Sequence, residues 1–97
     1  MSSDIKTYMK LPIPVKAIKV TGTAENIADI LWWSKTHSMS PVYTPISIDD
    51  TGWLVIKTLE GDMRPKLGDY VVQGPEGECW FVNGPIFEKT YYEVVNG

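Results

Sequence analysis

Apolar positions alternate with polar ones, or run together briefly, in three short stretches between Trp53 and Val82, and the chain is organised around them. Leu54-Val55-Ile56 opens the region, Asp69-Tyr70-Val71-Val72 forms its middle and Cys79-Trp80-Phe81-Val82 closes it. Each run is strand length and rich in β-branched or aromatic residues. Gly74-Pro75-Glu76-Gly77 separates the last two, which predicts a hairpin between Asp69–Gln73 and Glu78–Val82. Glu60-Gly61-Asp62 ends the first run, and Met63 to Gly68 reads as an ordered loop. The turn residues of this region are Gly61, Gly68, Asp69, Gly74 and Gly77. Gly68 stands where the chain needs a conformation that glycine reaches easily, so Gly68→Val is expected to misfold the hairpin.

The remaining segments read as material that covers this sheet. Leu11-Pro12-Ile13-Pro14 is extended, because each proline disfavours helix in the residue before it. The strand that follows alternates about Lys16 and again about Lys19. Its pattern slips by one between Ala17 and Ile18, as a bulge or a strand buried on both faces would show. Its prolines mark it as an edge. Thr23 is a helix N-cap with Glu25 in the first turn, and Ile27, Ile30, Leu31 and Ser34 recur at helical spacing. The helix spans about 23–36. Asn26, Asp29 and Lys35 fall on its outer arc. Trp32 and Trp33 point about 100° apart, so only one can lie at the centre of its buried stripe.

Asp49-Asp50-Thr51-Gly52 is a turn that makes Ile46–Ile48 and Trp53–Thr58 a second hairpin. Val42-Tyr43 reads as a further short strand. Pro85 suits the first turn of a short helix whose inner side carries Ile86, Phe87 and Tyr91. Tyr92 to Val95 reads as a closing strand. The fold class is therefore α+β: a small, twisted, mostly antiparallel sheet or partial barrel with one main helix packed on it, in a single domain over 1–97 whose first ten residues are frayed or an edge.

Composition narrows the function. A chain of 97 residues, 43% apolar, buries roughly two thirds of the surface it exposes unfolded. A net charge of −3 with no Lys/Arg run argues against a general nucleic-acid binder. The single cysteine, Cys79, excludes an internal disulfide and a multi-cysteine zinc site, and fits a reducing cytoplasm. No segment approaches the apolar length of a membrane span. Four Trp and five Tyr exceed what so small a core needs, which places some rings at a pocket or interface.

Candidate chemistry follows from those rings. Trp32, Trp33, Trp53, Trp80, Tyr70, Tyr91 and Tyr92, with Lys16, Lys57, Arg64 or Lys89 beside them, are the residue types a nucleotide site needs, and Trp32, Trp33, Trp80, Tyr91, Lys57, Arg64 and Lys89 are its first candidates: a ring stacks on the base and a cation meets the phosphate. Glu60, Asp62, Asp69 and Glu78 lie near strand ends, where a metal or acid/base cluster would form; the plainer reading is that Asp69 caps a turn and the others are solvated. His37 sits in a loop with no evident partner. Cys79, next to Trp80 in a strand, reads as buried and inert. No catalytic residue, metal ligand or cofactor is indicated.

Two segments carry resemblances. Gly61-Asp62-Met63-Arg64-Pro65 before Gly68-Asp69 resembles the LexA-like peptidase segment, but Met63 follows Asp62 directly, so the nucleophilic serine is missing. More broadly, Pro14-Val15-x-Ala17, Thr58-Leu59-Glu60-Gly61, Gly68-Asp69-Tyr70-Val71-Val72-x-Gly74, Gly77-Glu78 and Ile86-Phe87-Glu88-Lys89-Thr90-Tyr91 resemble, in order, a widespread family of small phage and prophage proteins. Leu67 replaces a usual proline and Cys79-Trp80 an aromatic–proline pair. The resemblance implies phage origin and a shared fold, and supplies no catalytic residues. A weaker likeness is to PUA and ASCH domains, small barrels with a cleft for RNA or nucleotides.

These readings converge on a phage counter-defence or host-takeover protein in the host cytoplasm that acts by binding, as a monomer or a homo-oligomer. Its partner is a nucleotide-type immune signal or a host protein. A PUA/ASCH-like nucleotide or nucleic-acid accessory domain is the alternative, and a small metal-dependent hydrolase ranks third. A ligand sponge would show a closed pocket with rings and two cations; a protein inhibitor would show an exposed apolar patch.

Overall fold

The computed structural model describes residues 4–36 and 46–95. The elements run β1 (Lys16–Lys19), α1 (Ala24–Thr36), β2 (Ser47–Ile48), β3 (Leu54–Thr58), β4 (Gly61–Met63), β5 (Tyr70–Gln73), β6 (Cys79–Val82) and α2 (Gly84–Thr90). The strands form two open antiparallel sheets, in the orders β1-β5-β6 and β2-β3-β4. The fold is α+β, as the patterning predicts, but the sheet is divided and not closed. The cause lies at Thr58–Gly61. There β3 turns straight into β4, with Thr58 Oγ1 donating to Gly61 O at 2.6 Å. Both edges of β3 are then taken, by β2 and β4, and β3 cannot join β5. Gly61-Asp62-Met63, expected as breaker and loop, is that extra strand.

Both predicted hairpins form. Ser47 faces Val55 in one, and Val71 faces Phe81 in the other. In the second, Gly74 N donates to Glu78 O and Gly77 N to Gly74 O, closing the Gly74–Gly77 turn. Strand β1 is an edge strand as expected, in unbroken register with β5 through Ala17 opposite Val72 and Ile18 opposite Val71. It has neither a bulge nor two buried faces: Ile18 and Val20 turn inward while Ala17 is exposed.

The main core lies between α1 and one face of each sheet. Val20, Ile30, Ile46, Leu54, Ile56, Val71 and Cys79 form it, with Ile27, Leu31, Trp33 and Trp53 packed around them. Ile30 is wholly buried, so Ile30→Ala would cost about 2–5 kcal/mol. Ser34 shares that depth and satisfies its hydroxyl on Leu31 O at 3.0 Å. Trp53 anchors its indole by donating from Nε1 to Pro65 O at 2.7 Å.

Helix α1 starts as predicted. Asn26 N donates to Thr23 Oγ1 at 3.0 Å. The Asn26 side chain reaches back, accepting from Thr21 N and donating to Lys19 O, both at 2.9 Å, and so ties the helix start to the end of β1. Asn26 is therefore half-buried and engaged, not on an open arc.

On the other face of β1-β5-β6, α2 stacks its rings. Tyr70 lies on Phe87 at 4.0 Å between centroids, and Phe87 on Tyr91 at 4.6 Å. Asn83 caps this helix by accepting from Ile86 N at 3.2 Å. Ile86, expected on its inner side, points outward at 57% exposure. Helical spacing puts Phe87 and Tyr91, four apart, on one face, and Ile86 leaves it. Tyr92 to Val95 form no strand and are exposed; the residue before them, Tyr91, is extended and already held by a bond from its N–H to Phe87 O. His37 and the Val42-Tyr43 strand lie outside the described residues.

One junction joins three elements. Gly68 N donates to Val20 O at 2.9 Å and Val20 N to Asp69 O at 2.8 Å, so two residues oppose one, as at a bulge. Gly68 holds φ +90°, the glycine conformation predicted for it. The Asp69 carboxylate accepts from Lys66 N at 2.8 Å and from Gly84 N at 3.2 Å, fixing the loop and the start of α2. Gly61 and Gly77 also have positive φ, whereas Gly74 does not.

Candidate binding groove between α1 and β1

The backbone direction of β1 decides what its outer edge offers. Val20 directs both its N–H and its C=O toward the Gly68-Asp69 junction at the start of β5. Amides alternate sides along a strand, so Ile18 and Lys16 also bond toward β5, while Lys19, Ala17 and Val15 face away. The Lys19 carbonyl confirms the parity, because Asn26 at the head of α1 takes it. The outer edge of β1 thus fronts α1. Between them lies an open groove of about 560 Å³ lined by Lys16, Ala17, Ile18, Asp29, Trp32 and Trp33.

The adjacent indoles divide as their 100° separation requires. Trp33 packs against the core, and Trp32 stands 66% exposed. Both line the groove. One ammonium (Lys16) and one carboxylate (Asp29) sit with them, so the groove has no strong net sign.

The other candidate residues lie elsewhere. Lys57 and Arg64 meet in a second cleft of about 370 Å³, with Asp49, Asp50 and Asp62 and no aromatic ring. Arg64 is engaged there: its Nε donates to Asp49 Oδ2 at 2.8 Å, and its Nη2 lies 3.5 Å from Asp62. Asp49 also accepts from Thr51 Oγ1, Thr51 N and Trp53 N. Bonds from Thr51 and Arg64 hold its carboxyl well below the usual carboxylate range. The sequence offers Asp49 as a turn residue, and the Asp-x-Thr spacing is the signal for this stronger role. Trp80 is half-buried in β6 opposite Val72, and Tyr91 ends the α2 stack with Lys89 exposed beside it. Among the described residues, Lys57, Arg64 and Lys89 therefore do not join Trp32 and Trp33, whose groove holds Lys16 instead.

The four carboxylates singled out in the sequence are also dispersed. Asp62 pairs with Arg64, Asp69 holds the junction, Glu78 accepts from Glu76 N at 3.2 Å, and Glu60 is exposed. Among the described residues, no three His, Cys, Asp or Glu side chains lie placed to hold a metal ion. Cys79 is buried as expected. Its thiol is pushed up to about 11, chiefly by burial, against a bond from Gln73 Nε2 at 3.8 Å.

Sequence reasoning found Trp32, Trp33 and Lys16 but missed Asp29 and the β1 backbone, whose role depends on the direction of its amides and not on a side chain. Among the described residues, no helix is long and apolar enough to cross a membrane. Compared with protein-family models, with curated proteins and with solved structures, the chain shows no match.

Proposed function

We propose that this is a binding protein that captures an extended segment of a partner protein as an added strand along the outer edge of β1. The observation that carries this reading is the groove itself: outward backbone donors and acceptors at Val15 and Ala17 on one side, and Trp32 and Trp33 on a helix opposite. A groove between an edge strand and a helix suits strand addition. Main-chain bonds supply affinity, and alternate side chains enter the apolar wall. An exposed Trp is a suitable anchor for such a contact.

The resemblance to small phage proteins supports the biological setting: a phage-encoded counter-defence or host-takeover factor whose partner is a protein of the host cytoplasm. The mixed charge of the groove favours a peptide over a phosphate-bearing ligand, because Asp29 offsets Lys16. A nucleotide-type immune signal is the second reading. It is favoured by two indoles and an ammonium sharing one groove of ligand size.

The test is affinity capture from host lysate with the wild-type protein, Ala17→Pro and Trp32→Ala, beside native mass spectrometry with a panel of cyclic oligonucleotides and ADP-ribose derivatives. A protein retained by wild type and lost from both variants supports strand capture. A small-molecule mass retained by wild type and by Ala17→Pro, but lost from Trp32→Ala, overturns it in favour of the nucleotide reading.

A further inference from the structure

Asn83-Gly84, the link between β6 and α2, carries a reactivity of its own. Glycine has no side chain to shield its backbone nitrogen or to restrict its approach. The nitrogen that follows an asparagine can therefore attack that asparagine's carboxamide.

In the folded chain each group that would have to move is held. The nucleophile is engaged: Gly84 N donates to Asp69 Oδ1 at 3.2 Å, and Gly84 is buried. A carboxylate on that N–H opposes loss of its proton. The electrophile is engaged as well. Asn83 Oδ1 accepts from Ile86 N at 3.2 Å, which turns the carboxamide over the first turn of α2. Asn83 O accepts from Phe87 N at 2.8 Å and fixes the peptide group between the two residues. Asn83 itself is exposed, so water and base reach it.

These restraints depend on a small helix. α2 has seven residues, of which Pro85, Ile86, Glu88, Lys89 and Thr90 are exposed. It is tied to the body by the Gly84–Asp69 bond, by the Phe87 ring on Tyr70 at 4.0 Å, and by Tyr70 Oη donating to Glu88 Oε2 at 3.4 Å. So short a helix does not persist without its contacts, and its start can open while the rest of the chain stays folded.

We propose that Asn83 is a site of spontaneous deamidation, gated by opening of the α2 start, and that the reaction releases α2 irreversibly. On opening, Gly84 N gives its proton to water and bonds to Asn83 Cγ. The Cγ–Nδ2 bond breaks, and Nδ2 leaves as ammonia with a proton returned from water, closing a cyclic imide. A second water opens the imide at either carbonyl, giving aspartate or its β-linked isomer. The net change is one amide and one water to one carboxylate and one ammonium, with no oxidant or reductant. The β-linked product lengthens the main chain by a methylene between residue 83 and Gly84. Gly84 packs so closely that even an added Cβ would run into Gly68 O, so it cannot keep both that place and its bond to Asp69. The α-linked product keeps the cap but sets a second carboxylate one residue from that bond. None of these atoms belongs to the α1–β1 groove, so deamidation and strand capture stand or fall separately.

Peptide mapping by mass spectrometry on the full-length protein, aged in mildly alkaline buffer with and without urea, tests the site. In urea the Asn83 peptide should convert to the acid. In the native protein its rate should be lower by more than about tenfold, as closure of the α2 start requires. Asp69→Asn removes the charge on the Gly84 N–H and should raise the native rate several-fold while leaving the rate in urea unchanged. If that variant does not fold, amide exchange at Gly84 in wild type replaces it: exchange and deamidation should accelerate in parallel as urea is added below the unfolding transition. The isoaspartyl fraction, isolated by ion exchange, should lose amide protection through α2 and retain it at Ile18. An Asn83 peptide that stays amidated in urea overturns the site. Equal rates with and without urea, or deamidation that stays flat while Gly84 exchange rises, overturn the gating. An isoaspartyl fraction whose α2 amides are as protected as in wild type overturns the release.

Discussion

Gly84→Ala separates this packing from what residue preferences alone would say. Gly84 opens α2 with a negative φ, so alanine fits its backbone, and the usual gain from such a change is about 0.4–1 kcal/mol. Here the added methyl would run into the carbonyl oxygen of Gly68 and lie 3.1 Å from the Gly68 carbonyl carbon. Backbone cannot rotate away as a side chain can. Gly68 is bonded to Val20 O and followed by Asp69, which holds Val20 N, Lys66 N and Gly84 N. Relief requires α2 to move, which strains core-like packing at about 1–3 kcal/mol and stretches the Gly84–Asp69 bond. The sign reverses: we expect a net loss of about 2 kcal/mol. Urea unfolding followed by tryptophan fluorescence would show the midpoint falling by roughly 0.7–2 M at an m-value of about 1–3 kcal/mol per molar. Gly52 is the control. It has φ +86° and open space around the added methyl, so Gly52→Ala carries only backbone strain, and Gly52→Asn should recover most of it. Gly84→Asn should recover nothing. A Gly84→Ala midpoint unmoved or raised would refute the three-element junction.

Other expectations follow from the same structure. Ile18→Pro should cost about 3 kcal/mol or more by removing a bond to β5, whereas Ala17→Pro should lower the thermal midpoint only slightly, since its N–H faces outward; equal losses would show the edge assignment to be wrong. Asp49 has a depressed folded pKa, so its contribution is complete above roughly pH 4 and is lost as pH falls further. The stability gap between wild type and Asp49→Asn should therefore be constant from neutral pH to about 4 and shrink below it, as acid titration of the unfolding midpoint would reveal; a gap that widens in acid would contradict the Arg64–Asp49 pairing. Cys79, buried with its thiol raised to about 11, should resist a disulfide reagent at pH 8 in the folded protein and react freely in urea. Rapid labelling of the native protein would place that thiol at the surface.

The parts of the fold written in local pattern were legible. Thr23 capped the helix, the Gly74–Gly77 turn made its hairpin, and Asp69 closed a turn as read. What escaped depended on partners distant in sequence. Gly61-Asp62-Met63 looked like a breaker because exposed, polar Asp62 hides a three-residue strand that exists only by pairing with β3. Tyr92–Val95 has strand composition but finds no neighbouring edge. The groove was half visible. The excess of tryptophan pointed to Trp32 and Trp33, and their adjacency required that one leave the core. Its other wall is backbone, and the direction of a strand's amides is settled by register, which single residues do not encode.

Residue-resolved amide exchange on the protein with its captured partner bound tests the strand-addition reading most directly. In the free monomer, Ile18 should be protected and Val15 and Ala17 should exchange rapidly. With the partner in the groove, Val15 and Ala17 should gain protection comparable to Ile18. If both amides exchange as in the free protein while only the Trp32 and Trp33 indoles change, the groove holds a stacked ligand and no added strand.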